Sequence, residues 1–371
     1  MLNSIQVVRQ RDVISLDQSA DSTRKPQNGP NSRHLTVIGA ILTAGGIGLF
    51  GYFLHSVGAR EILERIGNFG ILGFVVILSV FAIRIVLRAF AWKLSVYEPF
   101  SLSLRDTIPA VVIGEAMSSM IPLGILISGT AKAVAVRKRV PLVVGLSSVA
   151  TENLFYSFTT SIFLIAGAYT FLKFTAPDPS LSTTIDLLIA AIVVVLLFLL
   201  VMIIRQWHFA SEICEALYRR GILAGFLEHA RYQVRLFENL IFGFYRRYPG
   251  RFFPICLLEF CFHALGVFEV WFIISRISVA DGQLLNAFLL ETVSRLITIV
   301  FKLVPFVIGV DEAGARFIAE AVTLGAGVGI TLALIRKGRI LFWTAIGLAL
   351  IIKRGLSLRE IRQAGETTEK S

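Results

Sequence analysis

Residues 187–204 read LLIAAIVVVLLFLLVMII, eighteen consecutive apolar positions without a charge or a proline. A helix of about twenty such residues crosses the hydrocarbon core of a bilayer, and one that is apolar on every side cannot lie on the surface of a water-soluble domain. In lipid every backbone N–H and C=O must be satisfied within the protein, which leaves helices or a closed barrel. The run therefore commits the chain to an all-α, polytopic membrane helical bundle. Its composition agrees: 55% hydrophobic against 16% charged over 371 residues is too little charge to cover a soluble surface of that size. The formal net charge of +11 is then explained by basic cytoplasmic loops, and no nucleic-acid partner is expected.

The second constraint is a pair of apolar stretches interrupted in similar ways. Residues 121–153 contain Pro122, Gly124 and Gly129, with Lys132 and Glu152 at +10 and +30 from the proline. Residues 304–337 echo them, with Arg316 and Arg336 at +11 and +31 from Pro305. Similarly broken segments in two halves of a membrane protein point to a substrate site between repeats.

Loop charges order the remainder. Residues 1–34 are polar, contain Pro26, Asn28, Gly29 and Pro30, and read as a disordered cytoplasmic tail. A first span follows at 35–54, whose five glycines between Gly39 and Gly51 could pack closely against a neighbour, including a second copy. The second span, 70–92, carries Arg84 and Arg88 one helical turn apart; either could snorkel to the interface, which explains the deeper Arg84 less well than Arg88. If 107–136 crossed completely, Arg137, Lys138 and Arg139 would lie outside, against the positive-inside bias; a re-entrant dip keeps them inside. Residues 142–172 run outward, 173–184 form an outer loop, and 185–204 return. Between Arg205 and Arg251 the chain carries eight Arg against four Glu, interleaved with apolar residues, as in amphipathic helix on an anionic lipid surface. Span 252–275 runs outward with Glu259, His263 and Glu269, 284–316 is the second broken segment, and 317–352 returns to a polar tail at 356–371. The expected architecture is about six full spans plus two re-entrant broken segments in an inverted repeat. Repeat one covers about 70–172 and repeat two about 252–352 within a membrane domain 35–355, with both termini cytoplasmic at the cell (inner) membrane.

Each ionised side chain at mid-bilayer costs about 2.5–3.5 kcal/mol on the lenient insertion scale. This chain places there Arg84, Glu115, Lys132, Glu152, Glu259, Glu291, Arg295, Lys302, Glu312, Arg316 and Arg336. They are expected to share a polar cavity in which cations and carboxylates neutralise one another. Glu291/Arg295 and Glu312/Arg316 have the i, i+4 spacing of intrahelical pairs, and Glu259 and His263 share a helical face. Near the two breaks Arg84, Lys132, Arg316 and Arg336 outnumber carboxylates. A cavity of that sign suits an anionic group such as a phosphate, which Arg binds with a planar donor fork. A phosphate carried on a hydrocarbon tail would put its head in the cavity and its tail in lipid. Cys214, Cys256 and Cys261 are an odd set without metal-ligand spacing. Walker A, GxSxG and HExxH motifs are absent from the sequence, so no catalytic residue, metal or cofactor is expected.

The stretch from Arg84 to Trp92, the segment IPLGILISGTAKAVAVRKRVP with Glu152 after it, and VPFVIGVDEAGARF with LALIRKGRILFWTAIGLAL resemble the lysylphosphatidylglycerol synthase transmembrane region, a flippase-like family with hopanoid-associated members. The resemblance covers about residues 35–355. It implies a translocase-like fold with inverted repeats and re-entrant helices, with Lys132, Glu152, Glu312, Arg316 and Arg336 where the family tends to place its charges. The family's first loop often has Gly followed by an acidic residue; Ser128 and Gly129 stand here. No soluble aminoacyl-transferring domain is evident, so synthesis of lysylphosphatidylglycerol by this chain alone is not expected. The leading expectation is a lipid translocator, not an enzyme, that binds an anionic or amphiphilic lipid through Lys132, Glu152, Glu312, Arg316, Arg336 and Arg84. The alternatives are an intramembrane lipid-modifying enzyme using Glu152 or Glu259 as general base, and a non-transporting partner that docks a lipid or glycan synthase through 205–251.

Overall fold

The structure, a computed structural model, describes residues 59–120, 124–175, 177–205, 208–220, 224–278, 284–301 and 305–353. The two polar tails, the first span at 35–54, Pro122 and Lys302 lie outside the described residues. Eleven α-helices and two short 3-10 turns make up the described chain. In order they are α1 Ala59–Leu94, α2 Leu104–Met120, α3 Gly124–Ala135, α4 Leu142–Thr175, α5 Pro179–Arg205, α6 Phe209–Arg219, α7 Ala224–Arg247, α8 Phe252–Ile277, α9 Leu284–Val300, α10 Val310–Ala321 and α11 Ala326–Lys353. This is the all-α membrane bundle expected from the sequence.

Among the described residues four stretches are long and apolar enough to cross a bilayer: Leu63–Leu94, Leu142–Thr175, Pro179–Phe198 and Pro249–Ile277. On α5 none of the most apolar window is buried against the protein, and Leu187, Val194, Leu197 and Phe198 point outward. That face needs lipid. The last helix, α11, has 28 residues, about 42 Å at 1.5 Å per residue, but carries Arg336, Lys337 and Arg339 near its middle. Burial, not apolarity, accommodates it: Arg336 and Arg339 are both buried.

Helix lengths repeat along the chain. α1 to α4 contain 36, 17, 12 and 34 residues, and α8 to α11 contain 26, 17, 12 and 28. In each set the two short helices fold against one another. At 1.5 Å per residue they reach about 26 and 18 Å, short of the roughly 30 Å core. The turn Pro305–Val307 between α9 and α10 packs against α2, which brings the second break to the first broken pair. Phe306 and Val307 hold φ at 54° and 49° there, a region that a β-branched residue seldom enters.

Several boundaries differ from the sequence expectation, each for a local reason. The helix expected from residue 70 begins at Ala59 and bends at Gly70, whose φ of 67° is open to glycine without strain. Most of the expected loop 173–184 is helical: α5 starts at Pro179, a favoured first helical residue, with the Leu181 N–H donating to Asp178 Oδ2 at 3.3 Å. The expected span 317–352 is two helices. α10 closes when the Leu324 and Gly325 N–H groups both donate to the Ala319 carbonyl (2.8 and 3.2 Å), with Thr323 and Gly325 at positive φ, and α11 starts afresh at Ala326. The basic stretch 205–251 holds α6 and α7, packed on each other, with α7 against α4.

Two apolar layers position the charged centre. One joins Phe69, Ile77, Ile273, Leu289 and Leu332; the other joins Ile85, Ala89, Trp92, Val112 and Val149. The ionised side chains of α1, α8, α9 and α11 lie where these helices meet.

Candidate functional site

On α1, Arg84 and Arg88 project from successive turns of one face into two different buried networks. Arg84 enters a cation-rich one. Its Nη1 donates to Glu269 Oε2 of α8 at 3.1 Å, and its Nη2 lies 3.6 Å from Glu291 Oε1 of α9. Arg339 of α11 also binds the Glu269 carboxylate. Arg295, one turn after Glu291, donates to Glu291 Oε1 at 2.5 Å, and Arg336 Nη2 stands 3.0 Å from Glu291 Oε2. Asp311 of α10 acts on Arg336 electrostatically. Four guanidiniums thus crowd two central carboxylates. Nε of Arg84, Arg295 and Arg339 and Nη1 of Arg336 are buried without a hydrogen-bond acceptor. Gly266 makes room for the assembly: a Cβ there would collide with Glu291 Oε1.

Arg88 enters a carboxylate-rich network. Its Nε donates to Glu152 Oε1 at 3.0 Å, its Nη1 to Glu115 Oε1 at 3.0 Å and its Nη2 to Asn153 Oδ1 at 3.4 Å. Lys132 Nζ lies 3.6 Å from Glu152 Oε2. Glu259 of α8 is fully buried beside them, within electrostatic reach of Glu152, Arg88 and Lys132.

Two aromatic side chains stand between the networks. The Phe262 ring lies under the guanidiniums of Arg84 (4.2 Å to its centroid), Arg295 (5.4 Å) and Arg88 (5.7 Å). Tyr156 accepts a hydrogen bond from Arg295 Nη1 at 3.3 Å, while Arg88 sits 4.6 Å over its ring. These cation–π contacts hold guanidiniums where water cannot.

The sequence-derived site residues therefore separate. Arg84 and Arg336 meet at Glu291; Lys132 and Glu152 meet beside Arg88. Glu312 lies in neither network, because it caps its own helix: its Oε2 accepts the Gly309 N–H at 2.8 Å, and its Oε1 lies 2.6 Å from Lys337 Nζ. Arg316 pairs with Glu320 at 3.0 Å on a partly exposed face. Of the two i, i+4 spacings that permit an intrahelical pair, Glu291–Arg295 forms one, whereas Glu312 turns to the Gly309 N–H, since a carboxylate in the first turn is drawn to free backbone N–H groups. His263 shares no ligand with Glu259; its Nε2 lies 3.1 Å from Thr160 Oγ1, and its ring stacks between Tyr156 and Phe163. Among the described residues no group of three or more His, Cys, Asp or Glu is placed to hold a metal.

Sequence reasoning placed Glu269 within its span without giving it a role, passed over Arg339 and the two aromatic bridges, and read Arg88 as a candidate for snorkelling. Arg336 and Arg339 are three apart and so share a helical face, which was a usable signal. Nothing local marks Tyr156 or Phe262, whose partners are distant in sequence.

Outside the networks, Phe163, Phe260, His263, Ala264, Val267 and Phe288 line an apolar groove of about 440 Å³. His263 forms part of its wall while stacking on Tyr156, so one ring separates the groove from the ligands of Arg295.

The sequence model of a family described as the lysylphosphatidylglycerol synthase TM region matches residues 36–347. Comparison with curated proteins gave no match, and comparison with solved structures gave none.

Proposed function

Because the chain belongs to the lysylphosphatidylglycerol synthase TM region family, we propose that this integral membrane protein is a lipid translocator that receives an anionic head group in the cation-rich network. One observation carries the reading. Buried N–H groups of Arg84, Arg295, Arg336 and Arg339 have no acceptor, and an orphaned buried donor is costly. A phosphate offers several strong acceptor oxygens, and guanidiniums bind it through charge-assisted hydrogen bonds. The short helix pairs α2/α3 and α9/α10 support the reading, as broken helices facing one another at mid-membrane are the usual setting of a transported substrate. So does the apolar groove beside His263, which suits an acyl chain.

On this reading 104–135 and 284–321 are re-entrant elements of an inverted repeat, the chain performs no chemistry on the lipid, and the termini face the cytoplasm at the cell membrane. The basic stretch 205–251, chiefly through α7, would lie toward an anionic lipid surface. On this reading Lys132 and Glu152 stay in the neighbouring carboxylate-rich network and Glu312 caps α10, so none of the three contacts the head group.

The test is leaflet exchange. Purified protein is reconstituted in phosphatidylcholine vesicles holding a trace of fluorescent phosphatidylglycerol, and bleaching of the accessible label is followed with dithionite. Protein-dependent loss of the inner-leaflet signal, abolished by the double substitution Arg336→Ala/Arg339→Ala, is expected. Bleaching that stops at the outer leaflet with folded wild-type protein overturns the proposal.

A further inference from the structure

Among the described residues, two carboxylates form ion pairs with the arginine network. Arg84 and Arg339 share Glu269, and Arg84, Arg295 and Arg336 share Glu291. Asp311, which acts on Arg336 electrostatically, makes no ion pair with any of the four among the described residues. The neighbouring network pairs Arg88 and Lys132 with its own Glu115 and Glu152. Four guanidiniums against two paired carboxylates leave two positive charges unmatched. Arginine does not shed its charge by losing a proton. The site is also dry: Arg84, Arg336 and Arg339 are buried, and the Arg295 side chain is 12% exposed. Charges withdrawn from water need compensation within contact distance.

Aromatic rings take the flat faces of these cations. Phe81 lies 4.3 Å from Arg339 and 5.6 Å from Arg84, and Phe262 lies 4.2 Å from Arg84 and 5.4 Å from Arg295. A ring attracts a cation through its quadrupole but brings no net charge. The planar edges, which carry the N–H groups, are left for an anion, and they hold the orphaned donors: Nε of Arg84, Arg295 and Arg339 and Nη1 of Arg336. We infer that the head group is a phosphomonoester bound as a dianion, in preference to a phosphodiester. The inference rests on the head-group site proposed above and names the class of lipid it takes. A phosphomonoester has three free oxygens and, above its second pKa of about 6, close to two negative charges. That charge equals the excess in the network, and its oxygens can serve the four donor nitrogens. A phosphodiester brings one charge on two free oxygens, leaves one guanidinium unmatched and binds more weakly.

Ligand-dependent unfolding of the full chain in detergent, at about pH 8 so that a monoester is doubly ionised, tests this apart from transport. The ligands are short-chain phosphatidic acid, short-chain phosphatidylglycerol and inorganic phosphate. A ligand held by the folded state raises the unfolding midpoint by mass action. Phosphatidic acid should match the effect of phosphatidylglycerol at a concentration about tenfold lower or less, since one unmatched buried charge outweighs a tenfold difference in affinity. Arg339→Gln removes one spare charge and leaves Glu269 paired with Arg84, so the two lipids should become nearly equal. Arg295→Gln, which leaves Arg84 and Arg336 on Glu291, serves if the first variant does not fold. A purely structural loss would weaken both responses and keep their ratio. Equal responses in wild type, or an unchanged ratio in the folded variant, overturn the inference and leave the translocator reading intact. Inorganic phosphate acting at the same concentration as phosphatidic acid assigns the site to a free ion and overturns the lipid monoester. Selectivity for phosphatidic acid in detergent, with no exchange of either lipid in vesicles, overturns translocation and upholds the dianion site.

Discussion

Glu291 receives three guanidiniums, from Arg295 at 2.5 Å, Arg336 at 3.0 Å and Arg84 at 3.6 Å, with no exposure to solvent. Removing its charge leaves cations buried without compensation, and breaking a buried pair from one side costs roughly 3–5 kcal/mol. Glu291→Gln is therefore expected to lower the thermal unfolding midpoint in detergent sharply. Arg316→Ala removes a pair that is partly exposed, where such contacts contribute about 0–1 kcal/mol, and should leave the midpoint nearly unchanged. Equal losses in the two variants would mean that burial does not rank these charges. The contrast also shows what could be read from the sequence at this scale. The positions of the charges within apolar spans were evident, and the i, i+4 rule gave Glu291–Arg295. The same rule gave Glu312–Arg316, yet Glu312 turns back to the Gly309 N–H and to Lys337. Spacing supplies opportunity, whereas the partner is chosen by whichever donors the fold brings near. Arg88 illustrates the same limit, because Glu115 and Glu152 are distant along the chain.

At the scale of elements, the interruptions were legible because proline, glycine and isolated charges punctuate otherwise apolar stretches. The end of the second broken segment was not. Phe317 continues an apolar pattern past Ala321, and only backbone hydrogen bonds to the Ala319 carbonyl show that the helix closes there. This closure lets α11 double back on α10 at very short range. A Cβ at Gly329 would strike the Ala315 carbonyl and the Arg316 nitrogen, which are backbone atoms and cannot swing aside. Gly329→Ala should cost about 1–3 kcal/mol through overpacking and separate α10 from α11, with loss of leaflet exchange. Gly338→Ala on the same helix is the control, since its methyl group would meet only the Phe74 ring, at 3.2 Å. Unfolding midpoints of the two variants provide the check: similar values would mean that the α10–α11 contact tolerates slack and does not fix the second break.

For the whole molecule, the membrane class followed from one apolar run, but the division of the charged interior into two unlike networks could not have. It depends on which helices cross, and on Phe262 and Tyr156 standing where they do. That division has a consequence for how an amphiphile would fit. The orphaned guanidinium donors belong to the cation-rich network, and the apolar groove that His263 helps to line lies outside it. A lipid using both would place its phosphate among the arginines and run its first acyl carbons past His263 along Ala264 and Val267. Ala264 is exposed in that groove, so Ala264→Trp fills it without touching an ion pair. Substitutions at exposed positions usually change stability by no more than about 0.5 kcal/mol, so the unfolding midpoint should hold. Exchange of fluorescent phosphatidylglycerol should nevertheless slow several-fold, because the tail has lost its path while the head-group site is intact. Arg336→Ala/Arg339→Ala should fail for the opposite reason, keeping the groove and losing the donors. Wild-type exchange in Ala264→Trp would mean that the acyl chain leaves the arginine network by another face of the bundle.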